Sequence, residues 1–302
     1  MSELPATTMS QAHADQSAGR GVMPRALQPY AGDLPSFEGG PPRVTSFLDG
    51  KGKLVARGTT AGDHHWMHIS GVGAFRFPRR PGDVLSPDVQ VVPDPEAPAG
   101  IVEDFYLRSV LPVALQAYGL EVLHGSGVHV AGSGVVALCG RAESGKSTLA
   151  FALARRGHRH VADDAVVVDP GSLRTLPLPT AARLRRQSAD HFGAPSKKRV
   201  LVTLEGWDEG AARPLPLAAA MCLRRGAPQL EARRLNVREA FDALLAEAYA
   251  FTLHDVERKR GMMRAYMRLA TALPVYELSF PDGLENLPGA CDLIASAARG
   301  AG

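Results

Sequence analysis

The chain has 302 residues, 45% hydrophobic and 22% charged, ordinary globular values that exclude disorder throughout and allow one large or two small domains. A formal net charge of +3 is too small to mark a nucleic-acid binder. Cys139, Cys222 and Cys291 lie far apart without a CxxC, which excludes a zinc cluster and a disulfide framework. The longest apolar stretch, Leu215 to Leu223, is about half a membrane span. The N-terminus, MSELPATTMSQ, lacks the charged and apolar regions of a secretory signal. A cytoplasmic protein with no membrane and no nucleic-acid partner is expected.

Residues 1–43 hold six Pro and five Gly and read as a disordered leader. Residues 44–120 read as a small α+β region. Strands are expected at Val44 to Leu48, Trp66 to Ile69 and Val84 to Val92, between turns such as Asp49-Gly50 and Pro81-Gly82-Asp83. The spacing of Ile101, Phe105, Val110, Leu111 and Leu115 predicts a helix over 101–118, kinked at Pro112 and stopped at Gly119. Residues 121–302 read as a larger α/β unit. It opens with a hairpin of Val122 to Val130 and Gly134 to Cys139, followed by a helix from Lys146 to Arg156 with Gly157 as its terminator. A strand pair flanks Asp163-Asp164. A helical pattern covers Val237 to Leu273, with Phe241, Leu244, Leu245, Ala248, Phe251, Met263, Met267 and Ala270 on its apolar face. A strand at Val275 to Phe280 and a helix near Ala290 to Ala298 close the chain.

The strongest chemical signal is Gly140-Arg141-Ala142-Glu143-Ser144-Gly145-Lys146-Ser147-Thr148, whose first eight positions fit G-x-x-x-x-G-K-[ST]. An apolar strand runs in and an amphipathic helix runs out. Glycines let the backbone wrap an anion, the helix N-terminus adds partial positive charge, Lys146 reaches the outer phosphates and Ser147 ligates Mg²⁺. Glu143 is repulsive toward a triphosphate unless it faces solvent or pairs with Arg141.

Asp163-Asp164 follows Lys146 by only seventeen residues. A GTPase [NT]KxD and an ABC-type LSGGQ are both missing from the sequence, and the short spacing favours a kinase. Two neighbouring acids on an extended segment point to opposite sides, so one can ligate metal while the other accepts a proton.

Leu123-His124-Gly-Ser-Gly-Val128, Gly134-Val-Val, GRAESGKST and LARRGHRHVADDAVVVD together resemble the catalytic domain of the HPr kinase/phosphorylase family. The resemblance implies an α/β P-loop kinase domain with a mixed sheet, at 121–302, preceded by the small β-rich N-terminal region. It implies ATP and Mg²⁺ as cofactors, a serine-bearing protein or peptide (a biosynthetic precursor among them) as acceptor, and homo-oligomers. It assigns Asp163 as the base, Asp164 with Ser147 as metal ligands, and His124 as a neighbour of the phosphates. The bifunctional enzymes' LEIRGLGI signature has no counterpart soon after the acid pair.

Six basic residues, Arg183, Arg185, Arg186, Lys197, Lys198 and Arg199, face one acid, Asp190, between Ala181 and Val200. Most read as a solvated face; Arg199, with Lys198, is the candidate that neutralises the transferring phosphoryl group. Of His64, His65 and His68 only His64 and His68 share a strand face, with no completing ligand on it, and Arg258 to Arg260 read as surface charge. The sequence is also compatible with two rival functions: a small-molecule kinase of the shikimate or gluconate type, and a nucleotide-sensing module without turnover.

Overall fold

The computed structural model describes residues 27–39, 44–48, 52–79, 88–98, 100–178, 182–193, 200–202, 213–249 and 256–300. Strands β1 (Gln28–Pro29), β2 (Val44–Leu48), β3 (Leu54–Ala61), β4 (His64–Ile69), β5 (Gly73–Pro78) and β6 (Gln90–Pro93) form one sheet in the order β1-β6-β5-β4-β3-β2. All neighbours are antiparallel except β1 and β6. Tyr30, just after β1, lies edge-on to Trp66 with ring centres 5.2 Å apart, and the Arg76 guanidinium sits 3.9 Å above the Tyr30 ring. Of the expected strand at Val84 to Val92, the described residues place β6 from Gln90; 81–87 lie outside the described residues, as do 1–26 and 40–43 of the expected leader.

A broken helix follows: α1 (Ile101–Phe105), a π-helical turn (Tyr106–Val110) and α2 (Leu111–Gln116). Pro112 has no N–H to give to the Arg108 carbonyl, so the ladder opens into the wider turn, where Leu111 N–H bonds to Tyr106 O. The predicted kink is thus a π turn. This helical layer is buried on two sides. Val110, Leu111 and Leu115 share one core with Phe75 and Phe77 of the first sheet and with Val167 and Leu178 beyond it.

The second sheet begins with β7 (Glu121–Leu123), β8 (Gly125–Val130) and β9 (Gly134–Cys139). After α3 (Lys146–Arg155) come β10 (Arg159–Ala162), β11 (Val166–Asp169) and β12 (Arg174–Leu176). A separate pair, β13 (Ala182–Leu184) and β14 (Val200–Val202), brackets α4 (Arg186–His191). Then β15 (Leu215–Arg225), β16 (Glu231–Arg234), α5 (Val237–Ala246), α6 (Val256–Ala272), β17 (Val275–Phe280) and α7 (Leu287–Arg299) complete the chain. The order is β10-β8-β9-β15-β12-β11-β7, with β17 also on β15 and β16 on β17. Strands β9 and β17 run parallel to β15, whereas β8 and β9 are antiparallel, so the sheet is mixed.

The apolar run at Leu215 is therefore the central strand, and its continuous hydrophobicity suits burial on both faces. The stretch Val122 to Val130 is two strands, not one. It splits at His124, whose N–H donates to Glu247 O (2.7 Å), and the halves join different neighbours. Helix α3 ends as expected: Gly157 at φ +89° and His158 close a Schellman motif on Ala154 O and Leu153 O. The helical pattern expected over Val237 to Leu273 is α5 and α6, with Phe251 outside the described residues, and the stripe on α6 is Met262, Tyr266, Leu269 and Ala270; Met263 and Met267 are exposed. Arg258 is not surface charge. It holds the buried Glu121 carboxylate through both oxygens, at 2.7 and 2.8 Å. No helix among the described residues is long and apolar enough to cross a membrane.

At the β8–β10 edge, burial holds the rings of His129, His158 and His160 below the usual histidine range. For His160, Asp163 opposes this and Arg108 adds to it. In the unfolded chain these rings take up protons near pH 6.5, whereas the folded chain resists them. The unfolded state therefore binds more protons below that pH, and stability falls as pH drops. The thermal midpoint should decrease between about pH 7.5 and 5.5, and His160→Gln should flatten that slope. Thermal scans at each pH check this, and a wild-type midpoint constant over the interval contradicts it.

Candidate functional site

Strand β9 delivers the chain to Gly140 at the middle of the sheet. Gly140 has φ +142°, and a Cβ there would lie 2.9 Å from Ser144 Oγ and 3.1 Å from Leu223 O, so no larger residue fits. Gly145, at φ +98°, is the N-cap of α3 and supplies no side-chain cap. The first-turn N–H groups of α3 therefore open toward the loop. Ser144 Oγ is buried without a hydrogen-bond partner. Lys146 Nζ turns back on the loop, donating to Gly140 O (2.6 Å) and Arg141 O (3.1 Å). Burial lowers its pKa, against the attraction of Glu247 and weaker pulls from Cys139, Asp164 and Asp163. An orphaned hydroxyl, uncapped amides and an ammonium bonded only to neutral carbonyls form a donor set suited to an anion of phosphate type.

Glu143 does not pair with Arg141. It sits at φ +72°, exposed, and forms an ion pair with Arg185 at 2.5 Å. Thr148 Oγ1 meets Ser188 Oγ at 3.0 Å. Both contacts tie the loop to the β13–α4 segment, which the sequence had suggested was mostly solvated.

The acid pair lies between β10 and β11. Asp163 is 0% exposed; its Oδ1 accepts from Ser126 Oγ (2.6 Å) and Ser147 Oγ (2.9 Å), and its Oδ2 from Arg183 N–H (2.9 Å). Asp164 is not on an extended segment as expected. It adopts a left-handed φ of +65°, which swings its side chain out to 39% exposure, 3.2 Å from Arg108 Nη1. His124 comes to the same end of the sheet, its Nδ1 3.6 Å from Glu247 Oε2. Arg199 and Lys198 lie outside the described residues.

The loop, Ser147, Asp163 and Asp164 are thus brought together as their spacing implied. Sequence reasoning missed Ser126, Arg108 and Glu247, and it read Arg183 only as part of a mostly solvated basic face. Ser126 lies inside the LHGSG segment, and Asp104 with Arg108 is a visible i, i+4 pair. Nothing local in the sequence connects Glu247 to His124.

These features define a mixed α/β fold with a small β-rich N-terminal sheet and an anion-type loop beside two carboxylates. Residues 118–178 match the family model described as HPr Serine kinase C-terminal domain. HPr kinase/phosphorylase of Chlorobium phaeobacteroides is 53% identical over 53 residues, which is 18% of this chain and 15% of that protein. The solved HPr(Ser) kinase/phosphatase from Coxiella burnetii aligns over 59% of this chain and 94% of its own, at 17% identity and a TM-score of 0.28. The likeness to the HPr Serine kinase C-terminal domain covers residues 118–178, the segment that holds the loop and the acid pair.

Ser126→Ala removes one donor from a sealed carboxylate. It should cost about 1–3 kcal/mol, read as a lower urea midpoint with unchanged slope. A change below about 0.5 kcal/mol, the size expected of an inert surface substitution, would show that this bond does not hold the acid.

Proposed function

We propose that the protein is an ATP- and Mg²⁺-dependent kinase that transfers the γ-phosphoryl group to a serine hydroxyl of a protein or peptide. The carrying observation is the direct bond between Ser147 of the glycine loop and Asp163 of the acid pair, which ties the phosphate-type site to the carboxylates. The HPr kinase-like likeness of residues 118–178 supports the same reading. The loop from Gly140 to Thr148 and Lys146 would hold the triphosphate. A magnesium ion bound between Ser147 and the acids would offset the charge of the β- and γ-phosphates.

The contacts favour a division of the acids opposite to the one the resemblance implies. Asp163 is enclosed and already bonded to Ser147, so it belongs on the metal side. Asp164 is partly exposed and can meet an incoming hydroxyl. Its carboxylate takes the proton as the serine oxygen bonds to phosphorus; the bond from phosphorus to the ADP oxygen breaks and ADP leaves. His124, held by Glu247, borders the phosphates. A cytoplasmic location and residues 121–302 as the unit carrying loop and acids belong to the same proposal.

Label from γ-labelled ATP should appear on serine in a Mg²⁺-dependent manner, with Lys146→Ala abolishing it. Asp163→Asn should weaken Mg–ATP binding in calorimetry, whereas Asp164→Asn should keep binding and lose transfer by about 10²-fold or more. If Asp163→Asn binds normally and loses only transfer, Asp163 is the base. A metabolite that accepts phosphate where serine peptides fail would replace the proposed acceptor.

A further inference from the structure

We infer that Arg108 is a positioning residue for the transfer proposed above: it holds the Asp164 carboxylate in the orientation from which it takes the acceptor's proton. The inference rests on that kinase reading and adds a group from outside the segment that matches the family model, residues 118–178.

Arg108 reaches the acid pair from the helical layer, and its side chain is only 6% exposed. One nitrogen, Nη1, lies 3.2 Å from Asp164 Oδ2 and 3.8 Å from Asp163 Oδ2, while Nε donates to Asp104 Oδ1 at 2.8 Å. Asp104 also accepts from Arg183 Nη2, and the Arg183 main-chain N–H holds Asp163. Arg108, Asp104, Arg183 and Asp163 close a four-membered ring, from which Asp164 branches at Arg108, and together these contacts tie the helical layer to both acids.

Three physical points separate this from an ordinary structural ion pair. First, Asp164 has a strained left-handed backbone whose carbonyl accepts from Tyr249 OH at 3.3 Å, so the main chain is held and the side chain's aim depends on its guanidinium partner. Second, a buried ion pair is a weak source of stability compared with apolar packing, so stability alone gives little reason to bury Arg108 here. Third, Arg108 sits in the π turn set by Pro112. The extra residue in that turn rotates the side chains before it by about 100° relative to those after it. The planar fork of arginine lets Nε bind Asp104 while Nη1 serves the acids, which the single nitrogen of lysine cannot do.

The test is a kinetic cycle on the full chain, with Arg108→Gln, Asp164→Asn and the double variant assayed by transfer from γ-labelled ATP. Arg108→Gln should lower kcat on the order of tenfold to a hundredfold, with the KM for ATP unchanged. In the Asp164→Asn background the same change should cost almost nothing, because the residue it positions is gone. Arg108→Lys should bind Mg–ATP normally and still turn over at least about tenfold more slowly; it also decides the matter should Arg108→Gln fail to fold. Wild-type kcat in either Arg108 variant, or a full additive loss in the double variant, overturns the positioning role alone. Absence of transfer in the wild type overturns the kinase reading and this inference with it.

Discussion

A carboxylate removed from water must be met by donors or it will not stay charged, and Asp163 is that group in this fold. Its donors come from separate parts of the chain: Ser126 on β8, Ser147 at the start of α3, and the Arg183 amide on β13, with Arg108 of the helical layer close by. Because hydrogen bonds tolerate only a few tenths of an ångström, one side chain sets the mutual position of four elements. The loop and the acid pair are held facing each other through the bond of this carboxylate to Ser147.

The sheet is built to serve that junction. Strand β9 enters the loop from the interior, with β15 parallel on one side and β8 antiparallel on the other. Both faces are covered, by α3 and α7 on one side and by α5 and α6 on the other. The strand ends carrying the loop are therefore packed on both sides, and the Lys146 ammonium bonds the loop's own carbonyls. The ion pair of Glu143 with Arg185 answers the charge problem of an acid in a phosphate-type loop by drawing the carboxylate outward.

Local patterns were read well where neighbours in sequence do the work. Helix α3, its glycine stop, the β8–β9 hairpin and β17 all depend on residues a few positions apart. Reading failed where distant contacts decide. A one-residue shift of the stripe on α6 places Met262 and Tyr266 inside and Met263 and Met267 outside, a choice made by the sheet beneath. The same holds for Arg258, which reads as surface charge in the sequence because its partner, Glu121, lies far back in the chain. Asp164 was expected on a strand; the turn between β10 and β11 instead gave it a left-handed backbone.

The sequence by itself determined the glycine loop, the acid pair one helix later and the alternation of strands and helices around them, because each is set by backbone geometry over a few residues. Only the tertiary structure decided which acid is sealed and which is exposed, and that Arg108, Arg183 and Glu247 belong to the site. The burial and pairing of a charge depend on what packs across from it, and for these residues that partner lies tens of residues away along the chain.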